Sequence, residues 1–456
     1  MNRTAVINVV GLTKSLIGVH TPKIKAYAQR CGVQPIEPAF PAVTCTAQSN
    51  YLTGAHPEQH GIVANGWYDR ESAEHRFWKQ SNHVVRQPKI WEALRQKDPS
   101  FTCAKLFWWY NMYASVDYSI TPRPMYPADG KKVFDVYTQP MDLRETIKQD
   151  LGEFPFPYFW GPMAGIPSSE WIARSAEWIE TRYAPTLNLI YLPHLDYNLQ
   201  RLGPNDPAIH ADLQAIDEVV GRLIDFFEKR EVQVVLLSEY GITEVSRPVH
   251  LNRIFREQGW IQIKDELGLE QIDCGASRAF AIADHQVAHV YINDASIKAA
   301  VKKVLSEVEG VERVLDDTEK KAHRINHERA GDLIAVADKD SWFTYYYWQD
   351  DAVAPDFARC VDIHRKIGFD PVELFVDPSL RFPKLRVANR LLKKKLGLRM
   401  LMDVIPLDAS LVKGSHGRRP EDVGDWPVYI APGNTNSGAL ESAEVYGRLI
   451  ECVQGA

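Results

Sequence analysis

Short apolar runs alternate along the chain with stretches whose apolar residues recur at helical spacing. Residues 5–10, 101–107, 187–192, 232–237, 290–292 and 333–336 are compact apolar runs and read as strands. Residues 21–30, 91–96, 168–182, 208–228 and 295–307 carry helical periodicity between them. Strands alternating with helices predict an α/β fold, a doubly wound and mostly parallel sheet covered on both faces. In such folds ligands gather beyond the carboxyl ends of the strands. Thr44, Asp196 and Glu239 all fall at or just after such ends.

The alternation loosens between residues 246 and 407, where charge and aromatics increase. That region reads as an inserted cap, leaving 1–245 as the first part of the core. Residues 408–456 then bring the chain back, through a strand-like 426–431 and a helix over 442–453. Composition is that of an ordinary globular protein: 456 residues, 45% hydrophobic and 25% charged. A net charge of −6 gives no global attraction to nucleic acid or anionic membrane. Cysteines 31, 45, 103, 274, 360 and 452 are scattered, with no CxxC pair, as in a reduced cytoplasmic protein. Residues 5–10 are too short for a signal sequence's apolar region, and no run approaches the roughly 20 apolar residues of a membrane span. A cytoplasmic setting is expected.

The most informative segment holds Pro41, Thr44, Cys45 and Thr46, then His60-Gly61-Ile62 and Asn65. A hydroxyl just ahead of a helical run commonly serves as an N-cap. It also sits where backbone N–H groups and the helix dipole favour an anion such as phosphate. The whole string resembles the nucleophile region of the alkaline phosphatase superfamily, in particular its nucleotide pyrophosphatase/phosphodiesterase and phosphonoacetate hydrolase branches. The resemblance implies Thr44 as the nucleophile and Asn65 as the amide that holds a phosphoryl oxygen.

Relatives of this kind hold two zinc-type ions with three Asp and three His, and the resemblance continues through those positions with substitutions. Thr13, in Val10-Gly11-Leu12-Thr13, stands where an Asp ligand is expected. Asp196 is kept, but Gln200 replaces the His that follows it. Ser238-Glu239-Tyr240-Gly241 replaces Ser-Asp-His-Gly, and Gly414-Ser415-His416-Gly417 matches the late His ligand. Asp196, Glu239 and His416 are therefore the ligands that remain, while Thr13, Gln200 and Tyr240 occupy substituted ligand positions. Zinc favours imidazole, thiolate and carboxylate, so a zinc pair is not expected. The expectation is at most one divalent metal ion, or none. His194, His250 and His364 are more readily explained as packed or hydrogen-bonded rings.

Three readings of function follow: a phosphoester hydrolase or phosphoryl transferase on a phosphorylated small molecule with Thr44 as nucleophile; an inactive relative binding an anionic ligand or partner protein; or metal-free acid/base chemistry by Glu239 and Tyr240. The aromatic runs 107–113 and 342–348 read as core or pocket wall. Asp362, His364, Arg365 and Lys366 form a cluster that could bring substrate-binding cations (Arg365 above all) and an imidazole to the pocket. Residues 384–399 form a basic amphipathic stretch, for which a solvated helix face is the commoner reading and a membrane surface the alternative. A nucleic-acid partner is not expected, for want of any binding motif.

Overall fold

The computed structural model describes residues 1–129, 131–434 and 438–455. Its principal strands are β1 (Thr4–Val9), β2 (Gln34–Glu37), β3 (Cys103–Leu106), β4 (Tyr118–Pro122), β5 (Val136–Gln139), β6 (Leu187–Leu192) and β7 (Gln233–Leu237). Next come β8 (Ala279–Asp284), β9 (Val287–Ile292), β10 (Val311–Leu315) and β11 (Leu333–Ala337), then β12 (Val428–Ile430) and β13 (Leu440–Glu441). One nine-stranded sheet has the order β13-β2-β12-β7-β1-β6-β3-β4-β5. The four strands β8-β9-β11-β10 form a second sheet, antiparallel throughout.

At the centre of the large sheet β1 runs parallel to β6, from Thr4↔Leu187, and to β7, from Thr4↔Gln233. Every residue of β1 and β6 is buried, which accounts for their near-continuous apolar sequence. The exceptions to apolarity are informative. Asn8, the one polar side chain in the second half of β1, is fully buried and has a carboxylate partner described below. The β12 strand enters antiparallel between β7 and β2, so two reversals leave β2 running parallel to β7. The chain therefore leaves β1, β2, β6 and β7 at one end of the sheet.

The principal helices are α1 (Pro22–Cys31), α2 (Thr44–Thr53), α3 (Ile166–Tyr183), α4 (His194–Leu202), α5 (Ile209–Glu228), α6 (Pro383–Lys395) and α7 (Val445–Gln454). Helices α1 and α3 pack against α5, whereas α2 packs against α7. The apolar faces of α5 and α7 bury Ile216, Val220, Leu223 and Leu449 in the same core as β1, β6 and β7. This doubly wound, mostly parallel architecture is the one anticipated from the alternation of apolar runs. One local expectation needs adjustment. The apolar run 101–107 yields a strand only to Leu106, because Phe107 turns to φ 65° and the aromatic run continues as a buried irregular loop. The run 342–348 is core, its Tyr345, Tyr346 and Trp348 packed with Phe280 and Tyr291 of the second sheet. None of the described helices is long and apolar enough to cross a membrane.

Candidate active site

Helix α2 begins at Thr44 itself, after Val43 in the N-cap position, and Val43 contributes no side-chain cap bond. The anticipated capping role of the threonine is thus not what the structure shows. Its hydroxyl instead lies 3.2 Å from the Tyr240 hydroxyl. The first turn is tied by Asn65, whose Oδ1 accepts from the Cys45 N–H at 3.0 Å. Thr44 Oγ1 is left beside the positive end of a helix without being used to close it.

Tyr240 follows β7 and links the threonine to the first turn of α4, just after β6. Its hydroxyl donates to Asp196 Oδ1 at 3.1 Å, so its oxygen is placed to accept from Thr44. The other oxygen of Asp196 accepts from Gln200 Nε2 at 2.8 Å, one helical turn further along α4. Gly241 is required next to Tyr240, since a Cβ there would lie 1.8 Å from the Asp425 carbonyl oxygen. Tyr240 stacks on His416 with ring centroids 3.6 Å apart. The His416 Nδ1 is bonded to the Ala42 carbonyl at 2.7 Å, which fixes the ring and turns Nε2 to within 3.9 Å of Asp196 Oδ1. Gly417 then takes φ 119°, a left-handed value, at a place where a Cβ would be 3.0 Å from the backbone nitrogen of Gln286.

Glu239 is also fully buried, and its Oε1 accepts 2.5 Å bonds from the Asn8 and Gln48 amides. Gln48 in turn accepts from the Trp109 N–H at 2.7 Å, joining α2 to the aromatic loop after β3. Buried Lys105 anchors that loop from below, with Nζ donating to the carbonyls of Trp109 at 2.7 Å and Tyr110 at 2.9 Å. Burial pulls the Lys105 ammonium down to about 7.

Asp284, at the end of β8, joins the second sheet to the site. It accepts from the Asn65 backbone N–H at 2.8 Å, from Asn65 Nδ2 at 3.1 Å and from His285 Nδ1 at 2.8 Å. The His285 ring lies 3.7 Å from that of His416 and 3.7 Å from that of Phe369. Burial pushes Asp196 up to about 7, Glu239 to about 8 and Asp284 to about 6. It holds His285 and His416 well below the usual imidazole range, so both rings are neutral. Among the described residues, His416 Nε2, His285 Nε2, Glu239 Oε2 and Gln200 Oε1 are buried without hydrogen-bond partners. Orphaned polar atoms of this kind mark a place where a polar ligand would be received.

The structure thus brings Thr44, Asn65, Asp196, Gln200, Tyr240 and His416 into one connected neighbourhood, to which Glu239 is joined through Thr44. Thr13 lies beside Gly241, but its hydroxyl is 2.8 Å from Ser15 Oγ, which donates to Asp425. His364 Nδ1 is bonded to the Phe77 carbonyl at 3.2 Å, and Arg365 is half-exposed and paired with Asp362 at 2.9 Å. The segment following them approaches the site through Phe369 rather than through either side chain. Sequence reasoning did not single out Asn8 or Gln48, and it did not assign Asp284 or His285 to the site. The polar residue inside the apolar run 5–10 was a readable signal for Asn8; Gln48 and Asp284 acquire partners only through tertiary contacts.

The donor set bears directly on metal. Among the described residues, no group of three or more His, Cys, Asp or Glu side chains is arranged to hold an ion. Of the retained ligand positions, Asp196 and His416 approach to 3.9 Å, while Glu239 accepts two amide bonds and the Gln200 and Tyr240 positions offer neutral groups. These residues do not fit a zinc pair.

Comparison with known proteins agrees with this architecture. The family model for type I phosphodiesterase / nucleotide pyrophosphatase matches residues 4–370. A Schizosaccharomyces pombe protein described as an uncharacterized pyrophosphatase/phosphodiesterase is 27% identical over 249 residues, 52% of this chain and 44% of that protein. Human ectonucleotide pyrophosphatase/phosphodiesterase family member 5 is 23% identical over 238 residues, 51% of this chain and 43% of its own. The match thus spans less than half the length of these curated relatives. Among solved structures, an inactive form of the murine family member 5 in complex with AMP superposes with TM-score 0.60 at 15% identity, covering 100% of this chain and 95% of that one. Phosphonoacetate hydrolase from Sinorhizobium meliloti, in complex with phosphonoformate, gives TM-score 0.63 at 12% identity, covering 99% of this chain and 96% of its own. The fold is that of the alkaline phosphatase superfamily. Within it, the chain belongs to the type I phosphodiesterase / nucleotide pyrophosphatase family.

Proposed function

We propose that this protein hydrolyses, or transfers the phosphoryl group of, a phosphodiester or pyrophosphate-type ester of a small molecule, with Thr44 as nucleophile and a reduced metal site. The observation that carries the reading is the contact of the Thr44 hydroxyl, at the start of α2, with a proton path through Tyr240 to Asp196. Thr44 Oγ forms a bond to phosphorus while the bond from phosphorus to the departing ester oxygen breaks. The threonine proton passes to the Tyr240 oxygen, and the Tyr240 proton passes to Asp196. The departing oxygen takes a proton from water. A second water gives one proton to the hydroxide so formed and attacks the phosphothreonine; the bond from phosphorus to Thr44 Oγ1 breaks, and the path runs in reverse to return the proton from Asp196 to Thr44. An acceptor lifted to about 7 by burial suits a general base working near neutrality. The α2 N-terminus and the second amide hydrogen of Asn65 supply fixed positive dipoles for the phosphoryl oxygens. If one divalent ion is bound, Asp196 and His416 are the side chains that would hold it.

Replacing Tyr240 with Phe tests this path. The ring keeps its stacking on His416 but loses the hydroxyl between Thr44 and Asp196. Turnover of bis(p-nitrophenyl) phosphate is expected to fall about a hundredfold, the scale of general acid–base assistance, with little change in thermal stability. An unchanged kcat in a folded Y240F protein would rule out the relay.

The alternative, an anion-binding relative without turnover, is supported by one specific feature: the carboxyls of Asp196 and Glu239 are both already engaged by neutral side chains. It is distinguished by phosphate-ester binding to wild-type protein in the absence of any product.

A further inference from the structure

Helix α6 contains no buried residue. Its attachment consists of Val387, packed against the aromatic core, and of Arg386 and Arg390, which pair with Asp403. On the remaining surface Leu385, Leu392 and Leu396 recur at i, i+7 and i+11, one stripe of a helix, with exposures of 68%, 55% and 67%. Phe382 extends the stripe at 63% exposure.

The same segment is strongly basic. From Arg381 to Arg399 there are eight Lys and Arg residues and no acid, in a chain whose net charge is −6. Among the described residues, Lys384, Lys393, Lys395 and Arg399 form no ion pair. Lysines in the last turn complement the helix dipole, which explains some of the charge. It does not explain the leucines, which have no structural reason to face water.

A second segment adjoins this one. Lys394 Nζ reaches the Lys132 carbonyl at 3.5 Å, beside a short pairing of Met125 with Val133. Met125, Tyr126, Val133 and Phe134 are all exposed there, with Lys131 and Lys132 alongside. Eleven of the nineteen exposed large hydrophobic residues among those described lie in 125–134 and 382–401. Such a concentration marks an interaction face rather than the scattered apolar residues of an ordinary surface.

We propose that α6, together with the adjoining residues 125–126 and 131–134, docks the protein on an anionic lipid surface. Leucines that enter the acyl boundary, aromatics suited to the headgroup level and flanking unpaired lysines are what such an interface requires. Nucleic acid would use the cations and leave the leucine stripe without a role. A second copy of the chain would bring the same positive charge against itself.

The test is co-sedimentation of the full chain with phosphatidylcholine vesicles, with and without phosphatidylglycerol. Wild-type protein is expected to bind only the anionic vesicles, and less as salt is raised. Two triple variants, K393Q/K394Q/K395Q and L385S/L392S/L396S, are each expected to bind about a hundredfold more weakly, the lysine variant on roughly fivefold per cation. All six side chains lie at or near the surface, so circular dichroism and thermal stability should be unchanged. Absence of wild-type binding to anionic vesicles overturns the proposal, as does binding that both triple variants retain. Leucine-dependent dimerisation, or preferential binding of RNA, also overturns it.

Discussion

Replacing Thr44 with Ala is expected to reduce turnover of a phosphodiester substrate by a factor on the order of 10⁴ or more, the scale seen when a covalent nucleophile is removed. The protein should remain folded. The hydroxyl meets Tyr240 at 3.2 Å, also bonds toward Glu239 and Tyr191, and closes no cap on α2, so its removal should cost about 1–3 kcal/mol. Parallel measurement of kcat and thermal midpoint separates the two effects. A folded T44A protein with unchanged turnover would remove the threonine from the mechanism. A variant that unfolds instead would show that the hydroxyl bears far more of the structure than these contacts suggest.

The second large effect is expected at Asp284. Its carboxylate accepts from the Asn65 backbone, the Asn65 amide and His285, all within the buried region joining the two sheets. Asp284→Ala leaves three donors without an acceptor at once. With each orphaned buried group costing roughly 1–3 kcal/mol, a loss of about 3–5 kcal/mol is expected. Turnover should fall as well, because Asn65 would lose the contact that orients its amide and would no longer tie the first turn of α2 as firmly. Urea unfolding followed by tryptophan fluorescence reads the first effect. A loss under about 1 kcal/mol would mean that Asn65 and His285 are held by packing alone.

Much of the architecture was legible because this fold writes itself locally. Strands buried on both faces, such as 187–192, must be apolar throughout, and the helices between them need one apolar stripe. The neighbourhood of Thr44 was legible for a related reason: residues 13, 196 and 239–240 follow strands that leave the sheet at one end. Less legible was what each side chain does there. Thr44 looked like an N-cap, yet Val43 holds that position and the hydroxyl faces Tyr240. Arg365, a cation with a polar sequence neighbourhood, found acidic partners on the surface, whereas the neutral Phe369 four residues on meets His285. Such outcomes depend on which loop meets which, and loop contacts far apart in sequence leave no periodic trace. Gln48 is the plainest case. Nothing around it in α2 announces that its amide will connect a carboxylate after β7 to the backbone of the loop after β3.

The proposed site is an anion cradle built from a helix terminus, amides and hydroxyls, with protein donors too few for a metal pair. Its most direct test is the metal content of the native protein after equilibration with zinc and removal of free ion, read by inductively coupled plasma mass spectrometry. At most one ion per chain is expected, lost on replacing Asp196 or His416 if present. Two tightly held ions per chain would contradict it.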